Sequence, residues 1–165
     1  MKVAPRHPSA LEGPTGFWGE PRRRTLIHAG QILLVENLRI RRQVLCEMLA
    51  REQFGCGVVE EPRAAVQLLS VGLYSGRGWM PELIMCNARI VGDAGLRALA
   101  LLRERRPDVS VVLYSLFSTP RLRARMEEVE GALVLDQCFG LGELRAAALN
   151  MTTSRRRISR PAASG

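Results

Sequence analysis

Lysine is nearly missing from this chain: Lys2 is the only one, and every other cation among the 24 basic residues is arginine. Arginine in place of lysine fits a GC-rich coding sequence as readily as it fits any function. One consequence is definite, however, since phosphate chemistry that relies on a lysine amine has none to use beyond residue 2. Histidine is equally scarce, and His7 and His28 lie away from any cysteine or acid partner, so neither Cys-His nor Ser-His catalysis has support. The four cysteines, Cys46, Cys56, Cys86 and Cys138, contain no Cys-x-x-Cys spacing and no neighbouring histidine. That excludes a zinc site or thioredoxin-like pair and leaves reduced thiols as the expectation. No apolar run approaches the length of a bilayer span, and the residues after Lys2 and Arg6 lack the apolar core of a signal peptide. A soluble, cytoplasmic protein with no membrane partner is expected.

What is present is length and apolar content. With 165 residues, 47% of them hydrophobic, the chain can build one domain with a real core, and two would be cramped. The formal charge of +8 is uneven. Residues 31–150 are close to neutral, and the excess sits in the ends, at Arg22-Arg23-Arg24 and Arg155-Arg156-Arg157. Residues 1–29, with Pro5, Pro8, Pro14 and Pro21 among several glycines, read as a flexible basic arm whose exposed Phe17-Trp18 pair is its one apolar feature. Residues 30–150 read as the domain, and 151–165 as a disordered basic tail.

Within the domain, apolar runs alternate with helical stripes. Gln31 to Val35 is β-prone and ends at Glu36-Asn37; Leu38 to Phe54 repeats its apolar residues at helical spacing; Gly55 and Gly57 release a short strand, Val58-Val59. A helix from Pro62 to Tyr74 and a loop lead to Leu83-Ile84-Met85-Cys86, a buried strand that ends at Asn87. A helix after Gly95, a strand from Val109 to Tyr114 ending at Ser115, and a charged helix from Thr119-Pro120 to Val129 follow. A strand at Gly131 to Leu135 and a helix from Leu141 to Leu149 complete the order. Five βα units in sequence predict an α/β fold, a five-stranded parallel sheet between two layers of helices. In such sheets the chemistry lies beyond the carboxyl ends of the strands, where Glu36, Asn37, Asn87 and Ser115 fall.

These residues resemble a known family, the receiver domains of two-component response regulators, which have the flavodoxin-like (βα)5 fold. The likeness rests on Ile32-Leu33-Leu34-Val35-Glu36-Asn37, on Pro81-Glu82-Leu83-Ile84 followed by Gly92-Asp93-Ala94-Gly95-Leu96, on Pro107-Asp108-Val109 with Val112-Leu113-Tyr114-Ser115, and on Gly131-Ala132 with Phe139 and Glu143-Leu144. Family members phosphorylate an aspartate after the third strand, hold Mg²⁺ with two acids after the first, and carry a Thr or Ser after the fourth and a Lys after the fifth. By resemblance, Asn87 occupies the acceptor position, Asn37 replaces the second acid beside Glu36, Ser115 keeps the switch position, and Gln137 stands for the lysine. Asp136 or Cys138 could shift into that last place, and Val91 stands where many members have proline. A carboxamide is neutral and weakly nucleophilic and cannot form the acyl phosphate.

The resemblance therefore implies a degenerate, stand-alone receiver fixed in one state, with no catalytic residue, no cofactor, and Mg²⁺ binding weak or absent. Phosphorylation at Asp93 or Asp136 instead has no support, since neither holds the matching position. The implied output face is that of the fourth helix, fifth strand and fifth helix, with Arg121, Arg123, Arg125, Glu127, Glu128, Glu130 and Arg145. Its partner would be a signalling or regulatory protein, or a second copy in a homodimer. The alternative is an adaptor that binds nucleic acid or acidic surfaces through its arginine clusters, weakly and without sequence specificity. Charges at this density also serve simply to keep a helix solvated.

Overall fold

The computed structural model describes residues 31–75 and 81–158. The expectations for the arm, including Phe17, Trp18 and Arg22 to Arg24, lie outside the described residues. Five strands, β1 (Gln31–Val35), β2 (Gly55–Val59), β3 (Leu83–Asn87), β4 (Ser110–Ser115) and β5 (Leu133–Asp136), alternate with five helices. The helices are α1 (Arg39–Arg51), α2 (Pro62–Ser75), α3 (Ala88–Arg105), α4 (Pro120–Glu127) and α5 (Leu141–Ile158). All neighbouring strands pair in parallel, in the order β2-β1-β3-β4-β5, so the predicted α/β architecture is observed.

Alternation along the strands divides the core in two. Leu33, Val35, Ile84, Cys86, Val111 and Leu113 face one way, against residues of α2, α3 and α4 such as Ala65, Leu99 and Met126. Ile32, Leu34, Leu83, Met85, Val112 and Tyr114 face the other way, against Leu45 and Leu49 of α1 and Leu144 and Ala148 of α5. Successive strand residues point to opposite faces, and a sheet covered on both faces needs strands apolar throughout. In the central strand β3 all five residues are buried.

Two helix boundaries differ from the sequence reading. The helix expected after Gly95 begins at Ala88, directly beyond β3, because Asn87 caps it: the Asn87 Oδ1 accepts from the Arg89 N–H at 3.2 Å. Gly92, at φ 57° and ψ −167°, kinks the helix after its first turn, and the residues that follow it are helical again. A Cβ on Gly95 would fall inside the Val91 side chain, so the close return of the helix needs a glycine there. The last helix does not stop at Leu149 but runs on to Ile158, through the Arg155-Arg156-Arg157 stretch expected in a disordered tail. Buried Thr152, whose hydroxyl donates to the Ala148 carbonyl at 2.8 Å, and the Met151 carbonyl, which accepts from Ser110 Oγ at 3.2 Å, dock this extension on β4.

Gly92 gives a direct test of the kink. No atom lies within 4 Å of a Cβ built there, so an alanine meets no steric obstacle. Its backbone region is nonetheless open to glycine almost alone. Gly92→Ala is expected to lower stability by about 2 kcal/mol, read as a lower urea midpoint at unchanged slope.

Candidate functional site

The strand order reverses between β1 and β3, and the crevice beyond their carboxyl ends is where an open sheet offers a site. Two polar residues close this crevice, Glu36 just past β1 and Asn87 at the end of β3. Glu36 is fully buried, and a buried carboxylate needs donors around it. The Asn87 Nδ2 donates to its Oε1 and Oε2 at 3.4 and 3.3 Å, and the Tyr114 hydroxyl donates to Oε2 at 3.0 Å. The Leu38 N–H donates to Oε1 at 3.0 Å, and the Arg41 guanidinium reaches Oε2 at 3.5 Å. The orientation of the Asn87 amide follows from its neighbours: only with Nδ2 on Glu36 can its oxygen also accept from Arg89.

The parallel register explains how Tyr114 enters this cluster. It sits beside Asn87 on the neighbouring strand, on the face that carries Leu83, Met85 and the side chains packed on α1 and α5. Its ring is fully buried and meets Phe139 edge-on, with centroids 6.1 Å apart. Sequence reasoning left Tyr114 without a role, and only the register shows that its hydroxyl points at Glu36.

Ser115, one residue on, belongs by alternation to the opposite face of the sheet. Its Oγ is buried and has no hydrogen-bond partner, and it takes no part in the Glu36 cluster. Asn37 is exposed and lines, with Arg41, Asn87, Arg89, Ile90 and Phe117, an open cleft of about 370 Å³ above the amide.

The cluster does not fit a hard divalent cation. Mg²⁺ takes oxygen ligands in a tight octahedron, whereas here N–H and O–H donors surround a single carboxylate whose two oxygens already accept. Among the described residues no group of three or more histidine, cysteine, aspartate or glutamate side chains gathers elsewhere.

After β5 the backbone turns through Gln137 and Cys138, both at positive φ and both exposed. Gln137, the expected lysine equivalent, contributes its N–H to the Ser115 carbonyl at 3.1 Å. Asp136 is the residue turned inward: it accepts from the Ser118 hydroxyl and from Arg123 of α4, with Nε at 2.6 Å. These donors hold its carboxyl below the ordinary aspartate range.

Of the residues assigned to an output face, Arg121 and Arg125 both reach Asp93 of α3, at 3.3 and 3.7 Å, and Arg125 also pairs with Glu128. Arg145 is not brought together with them. It points toward α1, where it pairs with Glu52 at 2.5 Å. α5 has two sides, and its sequence stripe does not say which one faces α1.

Burial pushes the Tyr114 hydroxyl and the Cys86 thiol well above their ordinary values, and the charge of Glu36 adds to both shifts. The fold therefore retains protons that the unfolded chain releases in alkali. This contribution is fully present below the unfolded values, about 8.5 for the thiol and about 10 for the phenol. It is lost as pH rises beyond them. Urea midpoints are expected to hold to about pH 8 and fall steadily from pH 9 to 11, with the fall reduced in Tyr114→Phe.

The sequence matches no protein-family model and no curated protein. Its fold is nonetheless shared by many solved structures. Among them is the signal receiver domain of a signal transduction histidine kinase from Syntrophus aciditrophicus, 22% identical over 82% of this chain and 97% of that one, with a TM-score of 0.63. A second is the signal receiver domain of an HD domain-containing protein from Pseudomonas fluorescens Pf-5, with 20% identity, 77% and 97% coverage and a TM-score of 0.62. A response regulator receiver protein from Sinorhizobium medicae WSM419 aligns at 18% identity over 76% and 95%, with a TM-score of 0.62. At these identities the likeness establishes the fold.

Proposed function

We propose that this chain is a degenerate receiver, a signalling module of the two-component type that is not switched by phosphorylation and acts by binding another protein. The reading starts from the receiver fold and rests on one observation: Glu36, the carboxylate that the described residues bring to the crevice, is buried with its oxygens taken by Asn87, Tyr114 and Leu38. A receiver's acyl phosphate forms on a free carboxylate, flanked by a cation and by positive charge that meets the developing negative oxygens. Here the acceptor position is an amide, the metal ligands are reduced to one engaged acid, and no lysine stands in the domain. Mg²⁺ binds weakly or not at all, and the module carries out no catalysis of its own.

Ion pairs with Asp93 and Asp136 tie α4 to both of its flanks. Such a brace favours one standing arrangement of the α4–β5–α5 face, suited to constitutive recognition of a signalling protein or of a second copy. Compartment follows from the same reading: two-component modules of this kind work in the cytoplasm. Among the described residues no helix is long and apolar enough to cross a membrane.

The test is to expose the full chain to acetyl phosphate and Mg²⁺. The intact mass is expected to stay unchanged and the backbone NMR signals around Asn87, Ser115 and β5 to stay in place. A covalent phosphoryl group, at whatever residue, would overturn the proposal.

A further inference from the structure

We propose that Cys46 and Cys56 are a redox site, a thiol pair that a peroxide-class oxidant converts to a reversible disulfide clamping α1 onto the edge of the sheet. Ten residues apart in sequence, the two cysteines show no motif, yet the fold places their Sγ atoms 3.9 Å from each other. Cys46 sits on α1 between the buried Leu45 and the exposed Glu47, and Cys56 on β2, the edge strand, in register with Ile32. A disulfide bond is about 2.05 Å long, so side-chain rotation has to close a little under half of the present 3.9 Å separation.

Access and chemistry agree with the geometry. Both sulfurs are partly buried, within reach of a small oxidant, whereas Cys86 is fully buried and exposed Cys138 stands after β5, at the opposite edge of the sheet. Burial and the neighbouring Cys46 push the Cys56 thiol upward, which leaves the first attack on the oxidant to Cys46. In the first step the Cys46 thiolate attacks a peroxide oxygen. The O–O bond breaks, the sulfur becomes a sulfenic acid, and the departing hydroxide takes up a proton as water. In the second, the Cys56 sulfur attacks the sulfenic sulfur, the S–O bond breaks, and the hydroxide leaves as water with the Cys56 proton. Two thiols and one peroxide thus give one disulfide and two waters.

The clamp bears on the site already described. The Leu38 N–H and Arg41, at the start of α1, hold Glu36, so oxidation fixes the helix that closes the crevice.

The experiment treats the full, unsubstituted chain with dilute hydrogen peroxide and reads intact mass and proteolytic peptides. The expected product has lost two hydrogens and yields one linked peptide pair containing Cys46 and Cys56. It forms at a rate independent of protein concentration, and dithiothreitol reverses it. Its melting midpoint is expected to rise by about 5–10 °C, as for a short closed loop. Cys138→Ser should form the same link, and Cys46→Ser should not. Oxygen adducts on single cysteines without a link would overturn the proposal. So would a link through Cys138, or equal thiol loss in Cys46→Ser and the parent chain.

Discussion

Asn87→Asp, which puts a carboxylate where the proposed receiver reading places the acceptor, is expected to cost about 3 kcal/mol at pH 7 and to leave the chain unable to accept phosphate. The amide donates to both oxygens of Glu36 at 3.3–3.4 Å. A carboxylate in its place removes that donor and sets two negative charges face to face in a buried crevice. Two such carboxylates cannot both ionise, and the pair is expected to hold one proton far above the ordinary carboxylate range. A proton held more tightly by the folded state means that stability falls as pH rises. The variant should therefore approach the parent near pH 4 and lose ground steadily toward pH 8. Urea unfolding at four pH values reads this directly, and a deficit that does not change with pH would sink the account. Acetyl phosphate should still leave the mass unchanged, since Asn37 supplies no second acid and the Gln137 position no amine. The Asn87 amide is, on this view, what allows Glu36 to stay buried.

Much of the architecture was legible in the sequence because a doubly covered parallel sheet leaves few alternatives. Short apolar runs with polar residues at their ends, separated by helical stripes, fixed both the βα order and the location of Glu36 and Asn87. The kink at Gly92 was hidden because a run of small residues does not announce a positive φ. The end of α5 was hidden for a different reason: Thr152, Arg155 and Arg157 read as polar tail, although arginine is a good helix former and tertiary docking at Ser110 continues the helix. The pairing of Arg145 with Glu52 was hidden because the two lie far apart in sequence. The same limit kept Tyr114 silent. Whether it or Ser115 faces the crevice depends on strand alternation at the sheet's end, and a one-residue difference moves a side chain to the other face. Cys46 and Cys56 meet only because α1 folds back over β2.

Glu36→Leu is the second change with a large expected effect, about 3 kcal/mol. It leaves the Asn87 amide, the Tyr114 hydroxyl and the Leu38 N–H without their shared acceptor, the first two at buried residues. Tyr114→Phe alone removes one donor from a carboxylate that keeps the others, and about 1.5 kcal/mol is expected. The informative variant combines them. With Glu36 gone, the Tyr114 hydroxyl is a buried group without its acceptor, so deleting it should relieve part of the damage rather than add to it. The double variant is thus expected to be less destabilised than the sum of the singles by about 1 kcal/mol or more. Strict additivity would show that the 3.0 Å contact between Tyr114 and Glu36 carries no energy. Positive coupling would establish that β1, β3 and β4 are joined at their carboxyl ends by one polar cluster. On the proposed reading, donors already engaged by Glu36 are not free for the exchange of ligands that a phosphorylation switch requires.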